Sequence, residues 1–274
     1  MPVDVVIIGG GIFGQVIGTA LEAQGRQVVI IDDSRKDAAS ATSAGLMRQR
    51  RFYGFDKVIY NQSRKLLDEL YDIKPITFKV QKTVSMKMDF IAPSSILGRV
   101  KVTPGFVVGV NAQTITYKDL IDGEIKKVAG DLVIVAAGIW TEVLLPVYQQ
   151  IPQKGVAFLY PTEIIAKPFI HPSLFGRNTV GFNRGDGAWV SDGTLVHRDK
   201  WSVHHERKAL KRCQNSSWIT LEPTMLTGIR PYSPSAKVCI LEQVQRGMWV
   251  ATGGAKNGLL AAGHCARILR ERTT

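Results

Sequence analysis

The chain is short of cysteine, of acidic charge and of long apolar runs, and each shortage removes a class of protein. Only 3 cysteines occur in 274 residues. Cys213, Cys239 and Cys265 lie too far apart in the chain for a disulfide framework or a zinc motif, and a reducing cytoplasm is the expected setting. No run of about 18 apolar residues is present, so no membrane span is expected. The apolar stretch near the start is studded with glycine and preceded by an acid, unlike the basic start of a secretory signal. Asp and Glu number 23 against 35 Lys and Arg, a formal net charge of +12. Such a field draws polyanions, although an enzyme that is simply basic has the same composition. With 45% hydrophobic residues the chain can bury a large core, as one sizeable domain or two smaller ones.

What is present begins at the N-terminus. Val3 to Ile8 reads VDVVII, the β-branched run of a strand buried on both faces of a parallel sheet. Gly9, Gly10, Gly11, Ile12, Phe13 and Gly14 follow, then a helical stretch to Gln24 that Gly25 stops. A second strand, Val28 to Ile31, ends at Asp32 and Asp33. Strand, GxGxxG, helix, strand and acid in this order form the dinucleotide fingerprint in its full context. Gly9 permits the tight turn, Gly11 lets backbone N–H groups approach a pyrophosphate, and Gly14 lets the helix pack on the strand. Asp32 is placed to accept hydrogen bonds from an adenosine ribose. The pattern does not separate NAD from FAD.

Further along, SRKDAASATSAGLM is a loop of small residues with Ser40, Ser43, Ala44, Gly45 and Leu46. Ile59, Leu66, Leu67 and Leu70 form the apolar stripe of a helix, and GDLVIVAAG is a buried strand that ends in Ala137 and Gly138 before Trp140. Gly228-Ile229-Arg230-Pro231 comes much later. The last piece, MWVATGGAKNGLLAAGHCARILRE, reads as strand, glycine-rich turn and helix. GGGIFG with Asp32, SATSAGLM, VIVAAGIW, GIRP and ATGGAKNGLLA match, in order and across nearly the whole chain, the D-amino-acid oxidase superfamily of FAD enzymes. The resemblance is closest to the glycine oxidase and sarcosine oxidase branch.

That resemblance implies an α/β protein with a Rossmann-like FAD-binding domain and a mixed antiparallel-sheet substrate domain. FAD-binding segments would cover 1–76, 98–145 and 226–274, and the substrate domain 77–97 and 146–225. It also implies that Ser43, Ala44, Gly45, Leu46 and Met47 lie against the isoalloxazine. Ala137, Gly138 and Trp140 would line the cofactor, as would Gly254, Lys256, Asn257, Gly258 and Leu259 at the final turn. There a helix N-terminus would stabilise negative charge on a reduced flavin. No cysteine falls where sarcosine oxidases attach their flavin, so FAD is expected to be non-covalent. Arg230 matches the family arginine that grips a substrate carboxylate; a buried structural ion pair is the alternative. Lys256 is either substrate-facing or a surface lysine, and Tyr232 either supplies a hydroxyl or is simply packed.

Two departures from the family shape the functional expectation. The segment between SAGLM and the AAG strand is short, and the place of a carboxylate-binding tyrosine falls at Val180 or Phe182. Both suit a larger, more exposed substrate than a small free amino acid. Arg48, Arg50 and Arg51 follow the flavin loop, and Arg198, Lys200, Arg207, Lys208, Lys211 and Arg212 form a second basic cluster near Trp201 and Trp218. A base-bearing polyanion would need such groups beside a pocket; a solvated helix face is the alternative. His197, His204 and His205 lie among those cations, which would repel a metal, and none is expected. The expected activity is FAD-dependent oxidation and C–N cleavage of a glycine-type amine. The compact basic pattern is similar to phage flavoenzymes that remodel amino-acid-modified thymines in DNA, which implies a DNA-borne substrate and a host cytoplasm. The alternatives are an oxidase of free glycine or sarcosine, and a FAD-binding or tRNA-modification protein that oxidises no amine.

Overall fold

The computed structural model describes residues 3–48, 56–80, 84–172, 178–217, 219, 221–234, 236 and 238–273. Two sheets, one of seven strands and one of nine, carry the fold. In the first, Val3–Ile8 lies between Val28–Asp32 and Ile125–Val135, parallel to both. Met248–Thr252 continues the parallel run beside Ile125–Val135, and Ile240–Gln245 closes that edge in antiparallel pairing. Alternate side chains of the first strand enter different clusters. Val5 and Ile7 pack under Ile12–Glu22, Lys57–Leu70 and Gly258–Arg272, three helices on one face. Val6 and Ile8 pack with Ile115 and Tyr117 on the other face. Burial on both sides is why the strand sequence has no polar alternation.

That second cover is a β-meander. Val102–Val110 starts parallel to Val28–Asp32, then pairs antiparallel with Thr114–Asp119, which pairs with the first half of Ile125–Val135. Ile125–Val135 therefore serves two surroundings. Its first residues alternate between exposed and half-buried, and its last four are continuously buried. Only the buried half has the composition of a core strand, so sequence reading finds Gly130 to Gly138 and misses the start.

The second sheet runs from Leu46–Met47 through Ser85–Phe90, Lys74–Lys79, Phe169–Pro172, Asn178–Asn183 and Ala188–Ser191 to Ile151–Tyr160, which also pairs with Leu195–His197 and Thr224–Tyr232. Three assignments differ from the sequence expectation. Leu46–Met47 falls within the expected nucleotide-binding segments and pairs with Ser85–Phe90 in this sheet. The GIRP strand, expected with the nucleotide-binding segments, pairs over all nine of its residues with Ile151–Tyr160. Lys74–Lys79 also enters this sheet ahead of the expected boundary at residue 77. Hydrogen-bond partners decide sheet membership, and no local composition reports a partner as distant in the chain as Ile151–Tyr160 is from Thr224–Tyr232.

The helix Val203–Ser217 covers the outer face of this sheet, where Ala209 and Cys213 pack with Val156, Phe158 and Val190. The inner face carries Phe78, Phe90, Phe182 and Trp189, joined by edge-on and tilted ring contacts. Among the described residues, no helix is long and apolar enough to cross a membrane.

Candidate functional site

A cavity of about 530 Å³ lies where the two sheets meet. At one end is the fingerprint turn. Gly9 has φ +105°, and a Cβ there would stand 2.5 Å from the carbonyl oxygen of Ala136. At Gly14 a Cβ would run into the Gly9 carbonyl oxygen, so the helix can start this close to the strand only with glycine. Asp32 is held by two backbone donors: Gly10 N–H gives to one carboxylate oxygen at 2.7 Å and Ser34 N–H to the other at 2.6 Å. Each oxygen keeps a lone pair for a ribose hydroxyl.

The small-residue loop is tied to that turn and to the second sheet. Ser40 Oγ accepts from Ile12 N–H at 2.9 Å, the first amide of the helix. Gly45 has φ +70°, and a Cβ there would collide with the Ile91 carbonyl oxygen. Arg184, 6% exposed, pairs with Asp186 and donates to the Ser43 carbonyl at 2.9 Å. Sequence reasoning missed Arg184, because an arginine in an Asn-Arg-Gly-Asp-Gly turn reads as surface. Its partners are 2 and 141 residues away.

A third anchor joins the AAG segment to the final turn. The Gly138 carbonyl accepts from Gln150 Nε2 at 3.0 Å, and the single proton of the Thr252 hydroxyl is shared between that carbonyl at 3.1 Å and Gln150 Oε1 at 3.0 Å. The helix Gly258–Arg272 then starts at the cavity with no side-chain cap and no acid in its first turn. Ile12–Glu22 also lacks an acid there. Two helix N-termini with their partial positive charge thus face one cavity, an arrangement suited to a ligand with separated anionic groups.

Arg230 lines the same cavity on the second-sheet side. Its strand is tied at both flanks: Ile229 N–H donates to the Asp37 carbonyl at 2.9 Å, and Tyr232 bridges to Gly254. Its guanidinium passes close to Gly155, where a Cβ would crowd Leu195 at 2.7 Å but only touch Arg230 Cζ at 3.9 Å. Burial pushes the guanidinium below the ordinary arginine value, and no acid offsets the shift. The Arg230 guanidinium has no ion-pair partner among the described residues, so the structural ion pair considered from sequence is not found among them.

Most expected site residues meet at this cavity. Gly9, Gly11, Ile12, Phe13, Asp32 and Asp33 line it, as do Ser40, Ser43, Ala44, Gly45 and Leu46, and Ala137, Gly138 and Trp140. Gly254, Lys256, Asn257, Gly258 and Leu259 complete that side. Gly14 does not line it, in keeping with a packing role, and neither does Tyr232, which is placed with its strand against Gly254. Val180 lines the cavity whereas Phe182 is buried among the aromatic rings. Arg35 was missed: it pairs with Asp33 and sits 4.6 Å from the Trp140 ring and 5.9 Å from Phe106.

The basic clusters divide. Arg48 lines the cavity, whereas Arg50, Arg51 and Trp218 lie outside the described residues. Arg207, Lys208 and Lys211 are exposed on the helix behind the second sheet, on its far side from the cavity. Arg212 is bound to the buried Asp192 at 2.6 Å. That helix does not flank the pocket as the sequence suggested.

One glycine tests whether this cavity fits a flat cofactor. Gly258 has helical φ −49° and ψ −38°, and a Cβ there would meet nothing within 4 Å. No packing in the protein requires glycine, but a methyl group would project into a place a ligand could fill. Together with the Gly9 cradle and the held Asp32, this fits FAD. Gly258→Ala is expected to stabilise the cofactor-free protein by about 0.4–1 kcal/mol through lost unfolded-state entropy. The same change should weaken FAD. Thermal unfolding without FAD and a fluorescence titration with it check the opposite signs; a shift in the same direction would assign Gly258 to protein packing.

The comparisons with known proteins agree with this geometry. The FAD dependent oxidoreductase (DAO) family model matches residues 4–90 and 90–272. No curated protein matches the sequence. Among solved structures, glycine oxidase from Bacillus cereus ATCC 14579 superposes with a TM-score of 0.71 at 16% identity, over 98% of this chain and 94% of that one. Glycine oxidase from Geobacillus kaustophilus gives 0.70 at 17%, over 99% and 95%. L-Amino acid deaminase from Proteus myxofaciens, in complex with anthranilate, gives 0.72 at 12%, over 99% and 90%. None of the three cysteines lines the cavity, so no thiol stands ready to bond a flavin there. With the fold shared over its whole length and the family model matched from end to end, the chain belongs to the FAD dependent oxidoreductase family.

Proposed function

We propose that this oxidoreductase acts on a glycine-type amine, an N–CH2–COO− unit, with net cleavage of its C–N bond. The observation that carries the reading is Arg230: a desolvated guanidinium lining the cavity, with no acid to neutralise it. A half-buried, partly desolvated arginine without an acid beside it is costly, and a carboxylate bound by its fork would offset that cost. FAD, when bound, supplies the acceptor for two electrons from the substrate. The methylene C–H and the N–H are lost as two electrons and two protons, which gives an imine. Water adds to it, the C–N bond breaks, and glyoxylate and a shortened amine are released.

The chain's own part is to bind and orient. Arg230 holds the carboxylate, the tied loops hold the cofactor, and positioning of this kind is a large share of catalysis. Among the described residues, the only carboxylates that line the cavity are Asp32 and Asp33, and no histidine or tyrosine does. Apart from Lys256, no described side chain there is suited to take the ammonium proton, and the amine is expected to bind in its neutral form. kcat/KM is therefore expected to rise with pH through the pKa of the substrate's own amine, and the inflection should move when a less basic amine is used. An inflection fixed across substrates would point to an enzyme base instead.

Arg230→Lys keeps the charge and loses the bidentate fork. It should weaken a carboxylate-bearing substrate by about 1.5–3 kcal/mol, roughly ten- to a hundredfold in kcat/KM, with FAD content unchanged. Loss of FAD, with kcat/KM per bound FAD unaffected, would make Arg230 structural. A second, narrower reading puts the glycyl group on a modified thymine in DNA, favoured by the net charge of +12 and by Arg48 at the cavity. DNA affinity should then fall steeply with salt, and neutralising Arg48, Arg50 and Arg51 should flatten the log–log slope by about 0.7–0.9 for each phosphate that no longer meets a cation. Salt-independent activity on the true substrate would favour a small free amine.

A further inference from the structure

The second sheet gives the cavity a wall of one chemical kind. Val80, Met86, Met88, Ile170, Val180 and Trp189 all line it. Cross-strand register builds this surface: Ile170 stands opposite Val180, Phe78 opposite Met86 and Ile76 opposite Met88. Beside it on the same face, Phe78, Phe90 and Phe182 interlock with one another and with Trp189, so the wall is braced and does not depend on a ligand for its shape. Among the described residues of this sheet, Asn178, Ser191 and Arg230 are the polar side chains at the cavity. Only Arg230 is charged.

Glycine or sarcosine would engage Arg230 and leave this wall in contact with water. Apolar surface of that extent gains from being covered, and burying one ring-sized apolar group is worth roughly ten- to a hundredfold in affinity. We propose that the substrate is an N-substituted glycine whose nitrogen carries an apolar or aromatic, ring-sized group. Its carboxylate lies on Arg230 and its ring against the methionines and Trp189. This rests on the glycine-type reading above, which places the substituent on nitrogen because the methylene is the carbon oxidised. The two methionines suit the role, since unbranched thioether chains adapt to a planar face and make favourable contacts with rings.

The test uses the FAD-loaded protein and two readouts. In turnover, N-benzylglycine should exceed sarcosine and glycine in kcat/KM by roughly ten- to a hundredfold. In binding, followed by the change in flavin absorbance, phenylacetate should bind at least about tenfold tighter than acetate. Met88→Glu should abolish both preferences. Val180→Thr, which adds one hydroxyl at nearly constant volume, should reduce them and guards against a misfolded charge variant. Phenylacetate binding no tighter than acetate, or sarcosine preferred over N-benzylglycine, overturns the proposal. If no amine is oxidised while phenylacetate is still preferred, the amine reading fails and the apolar wall stands. Phenylalanine turned over in preference to N-benzylglycine would place the group on carbon and overturn the nitrogen assignment.

Discussion

Thr224–Tyr232 and Ile151–Tyr160 are paired in register from end to end, and the position of Arg230 depends on that ladder. The strand leaves one sheet's territory to serve the other. It is stitched to Asp37 on one flank and to Gly254 on the other, so the arginine is carried on a rigid element that touches both loops lining the cavity. A side chain on a free loop could swing to an acid and neutralise itself. Here it is held away from one, with no acid contributing to its electrostatics.

The loops around the cavity are anchored through polar contacts between parts distant in sequence. Ser40 ties the small-residue loop to the first helix, Arg184 with Asp186 ties it to the second sheet, and Thr252 with Gln150 fixes the AAG turn. Each uses a partly or fully buried hydrogen bond, whose loss leaves an unsatisfied group costing about 1–3 kcal/mol. A site tied this way spends little ordering free energy when a cofactor enters.

Charge and chemistry are separated in this molecule. The exposed cations of the helix Val203–Ser217 lie behind the second sheet, whose inner face is almost wholly apolar. The positive features at the cavity include Arg230, Arg48, Lys256 and two helix N-termini. Net charge therefore describes how the protein meets a polyanion in solution and not how the cavity holds a small group.

The sequence by itself determined the nucleotide end. VDVVII, the GxGxxG turn, the first helix and Asp32 are local: each residue's reason lies within about thirty positions, where periodicity and glycine geometry are legible. It also supplied the motifs that meet at the cavity, down to Arg230. What only the tertiary structure decided is where non-local pairing acts. The GIRP strand joined the second sheet, Tyr232 did not reach the cavity, and the basic helix lay behind the sheet. Arg184 became a buried anchor, and Cys239 and Cys265, 26 residues apart, came within 3.4 Å. The cause is the same each time: a strand's partner, and hence the face its side chains occupy, is set by hydrogen bonds across the fold, and a single sequence records the donors and acceptors but not which will meet.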